Sequence, residues 1–232
     1  MRRNWTETEV RMALALYLRL DFGKIHTGTA EVQDLASRTG RTASAVALKL
    51  ANLAALDDSL PRRGMANASA LDRRIWQEFL QDPAQVLAAA EVPPAAAEVP
   101  ISGFAERQQA FQARQQGPGA QQMREARQGQ GFFRDMILTS YQGRCALTGI
   151  EDPRLLTASH IVGWAEDRAQ RMNPCNGLCL NALHDRAFDR HLITFDSGNR
   201  MLIAPDLPRE ARSRLTAGIS GELTLPARFL PD

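Results

Sequence analysis

Three short stretches of this chain hold residue types able to cleave a phosphodiester: Ser159-His160-Ile161, then Asn176-Gly177-Leu178, then Leu183-His184-Asp185-Arg186-Ala187-Phe188-Asp189. Hydrolysis of that kind needs a base to take a proton from water, a cation to hold the phosphate as charge builds on it, and a group that aims the base. Histidine is the side chain best able to accept a proton near neutral pH. An asparagine amide can tie a loop and orient an imidazole, although Asn176-Gly177 is also the commonest kind of turn dipeptide. Asp185 and Asp189 stand four residues apart, so on a helix they share a face and could hold one cation together. Asp185 also sits where a first-turn carboxylate is favoured by the helix dipole.

The segments around these residues read as the elements that must position them. Residues 154–161 are apolar and β-permissive enough for a strand. Residues 163–176 mix Gly, Pro, Asn and charges without a period and read as loop. Residues 181–190 place Leu183, Ala187 and Arg190 on one side of a short helix. His191 follows that helix, where capping of its C-terminus is the expected role. Upstream, Phe132-Phe133-Arg134-Asp135-Met136-Ile137-Leu138 reads as a helix leading in. Downstream, residues 192–195 and 201–204 flank Asp196-Ser197-Gly198-Asn199 as a hairpin.

The stretches ASHIVGW and NPCNGLCLNALHDRAFDRHLITFD, within residues 132–205, resemble the HNH endonucleases of the ββα-metal superfamily, in particular a bacterial branch found in restriction enzymes. The resemblance implies a strand that delivers the first histidine, an irregular loop, a second strand carrying the asparagine, and a helix supplying metal ligands. It implies His160 as general base, Asn176 as the central asparagine and His184 as the third motif residue. Asp185, His184 and Asp189 are then the candidate ligands for Mg²⁺ or Mn²⁺. Two departures accompany it. Ser159 stands where many relatives carry Asp or His as a ligand, and counting from Asn176 puts the usual third-motif position on Asp185 rather than His184.

Cys145, Cys175 and Cys179 contain no CxxC pair, so a structural zinc site is not expected, and three buried thiols are. An odd cysteine count and the lack of a signal-like or transmembrane apolar run point to the cytoplasm and away from a membrane. A net charge of +2 over 232 residues says little by itself. Its distribution says more, because Arg2, Arg3, Arg38, Arg41, Lys49, Arg62, Arg63, Arg73 and Arg74 gather in the N-terminal third, which would suit a phosphate backbone.

That third also carries helical spacing. A helix over 6–20 is supported by Thr6 with Glu9 three residues on, the signature of a capping box, with Val10, Leu14, Tyr17 and Leu18 as its inner stripe. Ala36, Gly40, Val46, Leu50 and Leu53 have the spacing of a helix-turn-helix. On that reading Arg41, Ser44, Lys49 and Asn52 face outward as the DNA-binding set. Residues 71–80 read as a further amphipathic helix, and residues 105–130, rich in Gln, Arg and Gly, as a flexible or partly helical linker.

The expected protein is therefore α+β. It has a helical helix-turn-helix domain over 1–92, resembling the helical or winged-helix region that often precedes this branch, a linker over 93–130 and a ββα-metal HNH domain over 131–232. Its expected activity is metal-dependent cleavage of double-stranded DNA, of restriction type and with dependence on base modification open. A homodimer is the simplest way for one site per chain to cut both strands. The alternative is a non-catalytic DNA-binding or regulatory protein that keeps an HNH scaffold, a reading that Ser159 keeps alive.

Overall fold

A computed structural model describes residues 3–60, 67–88, 90 and 120–231, with backbone alone over 120–127. The chain divides into two compact units, Met1–Pro94 and Ala95–Asp232. Residues 93–119 of the expected linker lie outside the described residues, whereas 120–130 are helical.

In the first unit, α1 spans Glu7–Leu18 and starts as its sequence dictates. The Thr6 hydroxyl accepts from the Glu9 N–H while the Glu9 carboxylate accepts from the Thr6 N–H, so two N-terminal donors are satisfied reciprocally. Val10, Leu14, Tyr17 and Leu18 are all buried, as the spacing required. Helix α2, Ala30–Thr39, stops at Gly40, whose φ of 62° is a left-handed conformation that glycine adopts without a steric penalty. Helix α3, Ala43–Ala54, begins at a Thr42 cap, and α4, Ala70–Gln81, begins at a Ser69/Asp72 capping box. A short α5, Pro83–Ala88, follows. Leu14, Leu50, Leu53, Ile75 and Phe79 are fully buried and form the core that joins α1, α3 and α4. No strand occurs among the described residues of this unit, so they hold no wing hairpin.

The polar face expected on α3 is reversed. Lys49 and Asn52 are buried, and Lys49 Nζ lies 2.6 Å from the fully buried carboxylate of Asp72 on α4. Arg41 pairs with Glu9 at 2.7 Å and donates to the main-chain oxygens of Arg3 and Asn4. Trp5 lies beneath both cations, 4.1 Å from the Arg41 guanidinium and 4.9 Å from Lys49 Nζ. Only Ser44 of the expected DNA-contact set is exposed. The physical reason is that a buried ion pair and a cation–π stack use these side chains before solvent can. The basic cluster is likewise consumed in part: Arg3 pairs with Glu9 and Arg74 with Glu7, while Arg2, Arg62 and Arg63 lie outside the described residues.

The second unit is built on α6, Ala120–Ser140, which extends the expected helix at 132–138 toward the N-terminus. Its buried Phe133, Met136 and Ile137 pack under a two-stranded antiparallel sheet of β1, Leu156–His160, and β2, Gly177–Asn181. The approach is close at Gly177, where an added Cβ would fall 2.6 Å from Ile137 Cδ1 and 2.7 Å from Phe133 Cζ. Glycine is therefore required there by space, not by a turn. Arg134, also buried, donates to the main-chain oxygens of Leu156 and Pro153 and locks α6 to the start of β1.

Helix α7, Ala182–Asp189, leaves β2 directly, with Asn181 as its cap. Its buried side is His184, Asp185 and Ala187, and Leu183 is 52 % exposed, so the face expected through Leu183 and Arg190 is rotated. His191 takes φ 55° just past the helix, and the Leu192 N–H returns to the Ala187 oxygen at 2.9 Å, which is the expected C-terminal cap. The hairpin β3, Ile193–Phe195, with β4, Met201–Ile203, and helix α8, Arg209–Thr216, complete the unit.

Candidate active site

His160 is the last residue of β1 and stands opposite Gly177 in the register. Its ring lies flat on Phe133, with centroids 3.7 Å apart and planes 13° apart, and the Trp164 ring meets it edge-on at 5.5 Å. Nε2 is 3.2 Å from the main-chain oxygen of Arg171. A carbonyl can only accept, which assigns the proton to Nε2 and leaves the basic lone pair on Nδ1. The ring is half-buried, so it is held in place without being sealed from water.

Asn176 closes the loop that begins at Ile161. Its Oδ1 accepts from the Val162 N–H at 2.7 Å, and its Nδ2 donates to the oxygens of Val162 and Gln170, each at 3.0 Å. Its own main-chain oxygen accepts from Ile161. One buried amide thus fixes both ends of the loop that carries Trp164 and Arg171 around the imidazole. Asn173 and Asn181 have other tasks, the first bracing a turn to Cys175 and the second capping α7.

Across from β1, the Ser159 hydroxyl donates to Asp185 Oδ1 at 2.7 Å, and both residues are buried. The two positions where the resemblance looks for ligands are therefore in contact. His184 points elsewhere. Nδ1 is 3.0 Å from Asn181 Oδ1 and Nε2 is 2.9 Å from the main-chain oxygen of Leu215, so both ring nitrogens face protein oxygens. Asp189 sits half-buried at the last residue of α7. Among the described residues no three histidine, cysteine or carboxylate side chains converge as a cation cage. A hard ion such as Mg²⁺ is nevertheless commonly held by one or two carboxylates, with water and substrate phosphate filling its shell. The oxygens of Asp185 and Ser159 fit that kind of ion.

Cys145 and Cys179 are buried and Cys175 only half-buried, all as free thiols. Burial, with the Cys145 thiol adding to it and Arg134 opposing, pushes Cys179 up to about 12.

Phe133, Trp164 and Arg171 are parts of the site that periodicity did not single out. Trp164 lies within ASHIVGW and was visible as a motif residue, but Arg171 sits in a short 3-10 turn, Ala169–Met172, inside a loop with no repeating pattern. Among the described residues, no helix is long and apolar enough to cross a membrane. Residues 145–196 match the family model described as HNH endonuclease, a span that contains His160, Asn176, His184, Asp185 and Asp189. No curated protein matches the chain.

Proposed function

From the HNH endonuclease segment that this chain carries at residues 145–196, we propose that it is a divalent-metal-dependent endonuclease of double-stranded DNA. The observation that carries this reading is the setting of His160: Nε2 faces the Arg171 carbonyl, Phe133 supports the ring, and Asp185 lies across the strand next to Ser159. In the reaction, His160 Nδ1 takes a proton from a water that attacks phosphorus as the P–O bond to the leaving oxygen breaks, and that oxygen takes a proton from solvent water to leave as a hydroxyl. The Arg171 carbonyl stabilises the imidazolium that forms, through the Nε2–H it already faces. Asn176 does not touch the ring but sets the loop that supplies that carbonyl, which makes it a positioning residue. Asp185 and Ser159 would hold the cation, with Asp189 as a further candidate. A bound ion supplies charge neutralisation at the phosphate and the leaving oxygen.

A restriction role is supported by the joining of a separate helical unit to this nuclease unit, and a dimer would bring two sites to two strands. Cleavage of supercoiled plasmid with Mg²⁺ or Mn²⁺, compared with His160→Ala, tests the activity. Sequencing the ends cut from methylated and unmethylated DNA tests both site choice and dependence on modified bases. The second reading, a DNA-binding scaffold without catalysis, is favoured by one observation, the Ser159 hydroxyl in place of a charged ligand beside Asp185. Plasmid that stays intact with either ion while DNA is still bound would select it.

A further inference from the structure

Arg171 is tied to the candidate base in two ways. Its main-chain oxygen faces His160 Nε2 at 3.2 Å, and its side chain is held over the ring of Trp164, which in turn meets the imidazole. The Arg171 Nε donates to the Trp164 main-chain oxygen at 2.6 Å, and the guanidinium carbon is 5.3 Å from the Trp164 ring centroid. These contacts fix the fork while using only one of its five N–H donors.

Several other arginines of this unit have partners. Arg144 pairs with Glu151, Arg154 with Asp152 and Arg200 with Asp196, and Arg134 is spent on two carbonyls. Arg171 meets no carboxylate among the described residues, and neither does its neighbour Arg168. The acids nearest in sequence are turned away: Asp167 Oδ1 accepts from the Ala169 N–H, and the Glu166 carboxylate lies against Gly163. Burial and then the Arg168 charge lower the pKa of Arg171, as expected where two cations share a loop without a counter-ion. A preorganised cationic fork over the ring that meets the base, with no carboxylate on it among the described residues, is what an incoming anion would complete.

Resting on the nuclease reading above, we propose that Arg171 binds the scissile phosphate beside His160, with Arg168 contacting a neighbouring backbone phosphate. A guanidinium suits this task because its planar fork can engage two phosphate oxygens at once, which an ammonium cannot.

The test uses the full chain and its Arg171→Ala, Arg171→Lys, Arg168→Ala and His160→Ala variants. Binding to a fluorescent duplex of mixed sequence is followed against salt without divalent metal, and plasmid cleavage is followed with Mn²⁺ across pH. Arg171→Ala is expected to flatten the log K against log salt slope by about 0.9, the value of one lost phosphate contact. It is expected to slow cleavage ~10²–10³-fold, the loss typical of one transition-state donor, with the midpoint of the pH–rate curve unmoved. Arg171→Lys should restore the slope but only part of the rate, and Arg168→Ala should flatten the slope with a smaller loss of rate. Should Arg171→Ala fail to fold, Arg171→Gln, which keeps a donor for the Trp164 carbonyl, carries the same comparison.

A wild-type slope and rate in Arg171→Ala would overturn the proposal while leaving intact a nuclease reading that His160→Ala supports. So would a lost rate with an unchanged slope and a shifted pH midpoint, which would assign Arg171 to holding the loop. If the wild type binds DNA but cuts nothing, the nuclease reading falls and the slope alone decides whether Arg171 meets phosphate. A wild type that neither binds nor cuts overturns both.

Discussion

At the residue scale, Nε2 of His160 faces a main-chain carbonyl, so on the proposed reading the proton taken by this ring goes to Nδ1. His160→Ala is expected to abolish cleavage of plasmid DNA and to leave duplex binding nearly unchanged, because a base acting on water contributes little to holding DNA. Cleavage that survives with added metal would remove His160 from the role. The paired positions on α7 separate in the same way. Asp185→Ala should weaken Mn²⁺ binding in calorimetry, whereas His184→Ala should bind the ion as wild type does and lose stability instead, by ~1–3 kcal/mol for buried partners left unmatched. Equal loss of Mn²⁺ affinity in both would restore His184 as a ligand. Sequence could single out His160, Asn176 and Asp185 as candidates because the motif they belong to lies within one short stretch of chain. It could not show that Ser159 touches Asp185, a contact that needs β1 and α7 to be folded together, nor that His184 has a partner in Leu215.

At the scale of elements, capped helix starts and apolar stripes were readable, and the placement of polar side chains was not. Thr6 with Glu9 announced α1 within four residues of chain, since a capping box is a local bond pattern. The inward turn of Lys49 depends on Asp72, a partner on another helix that periodicity cannot supply. Lys49→Ala should therefore lower the melting stability of the first unit by ~3–5 kcal/mol, the cost of leaving a buried charge alone, and should do so whether or not DNA is present. A mutant that melts like wild type but binds DNA less tightly would return Lys49 to an outward role.

Glu9 adds a pH dependence to the same unit. Burial works to raise its pKa, but the Arg41 hydrogen bond, the Thr6 N–H and the charges of Arg41 and Arg3 outweigh it and hold the carboxyl below its ordinary value of 4.5. A depressed carboxylate stabilises the fold above its unfolded pKa, and that contribution is lost as pH falls through the folded value. The destabilisation caused by Glu9→Gln, measured by thermal melts, should be full at pH 7 and shrink below about pH 4.5. An equal penalty at neutral and acid pH would show that the charge is not what stabilises α1.

At the scale of the whole molecule, the division at Pro94 and Ala95 predicts that residues 1–94 melt cooperatively by themselves, since their core closes within the unit. Residues 95–232 should cut plasmid weakly and with little preference for site, because phosphate contacts remain while any readout from the other unit is gone. Full site preference in that fragment would leave the helical unit without a recognition role. The second unit also closes on itself from its C-terminal side: His184 on α7 finds its Nε2 acceptor at Leu215, and the Thr224 and Ala227 N–H groups return to Ala146 and Ser140. During synthesis, residues nearer the N-terminus emerge first. His160, Asn176 and Asp185 thus exist in the nascent chain before the Leu215 carbonyl that holds His184 on α7 has been made, so a chain that ends ahead of Leu215 keeps every candidate residue and lacks the tie that steadies that helix.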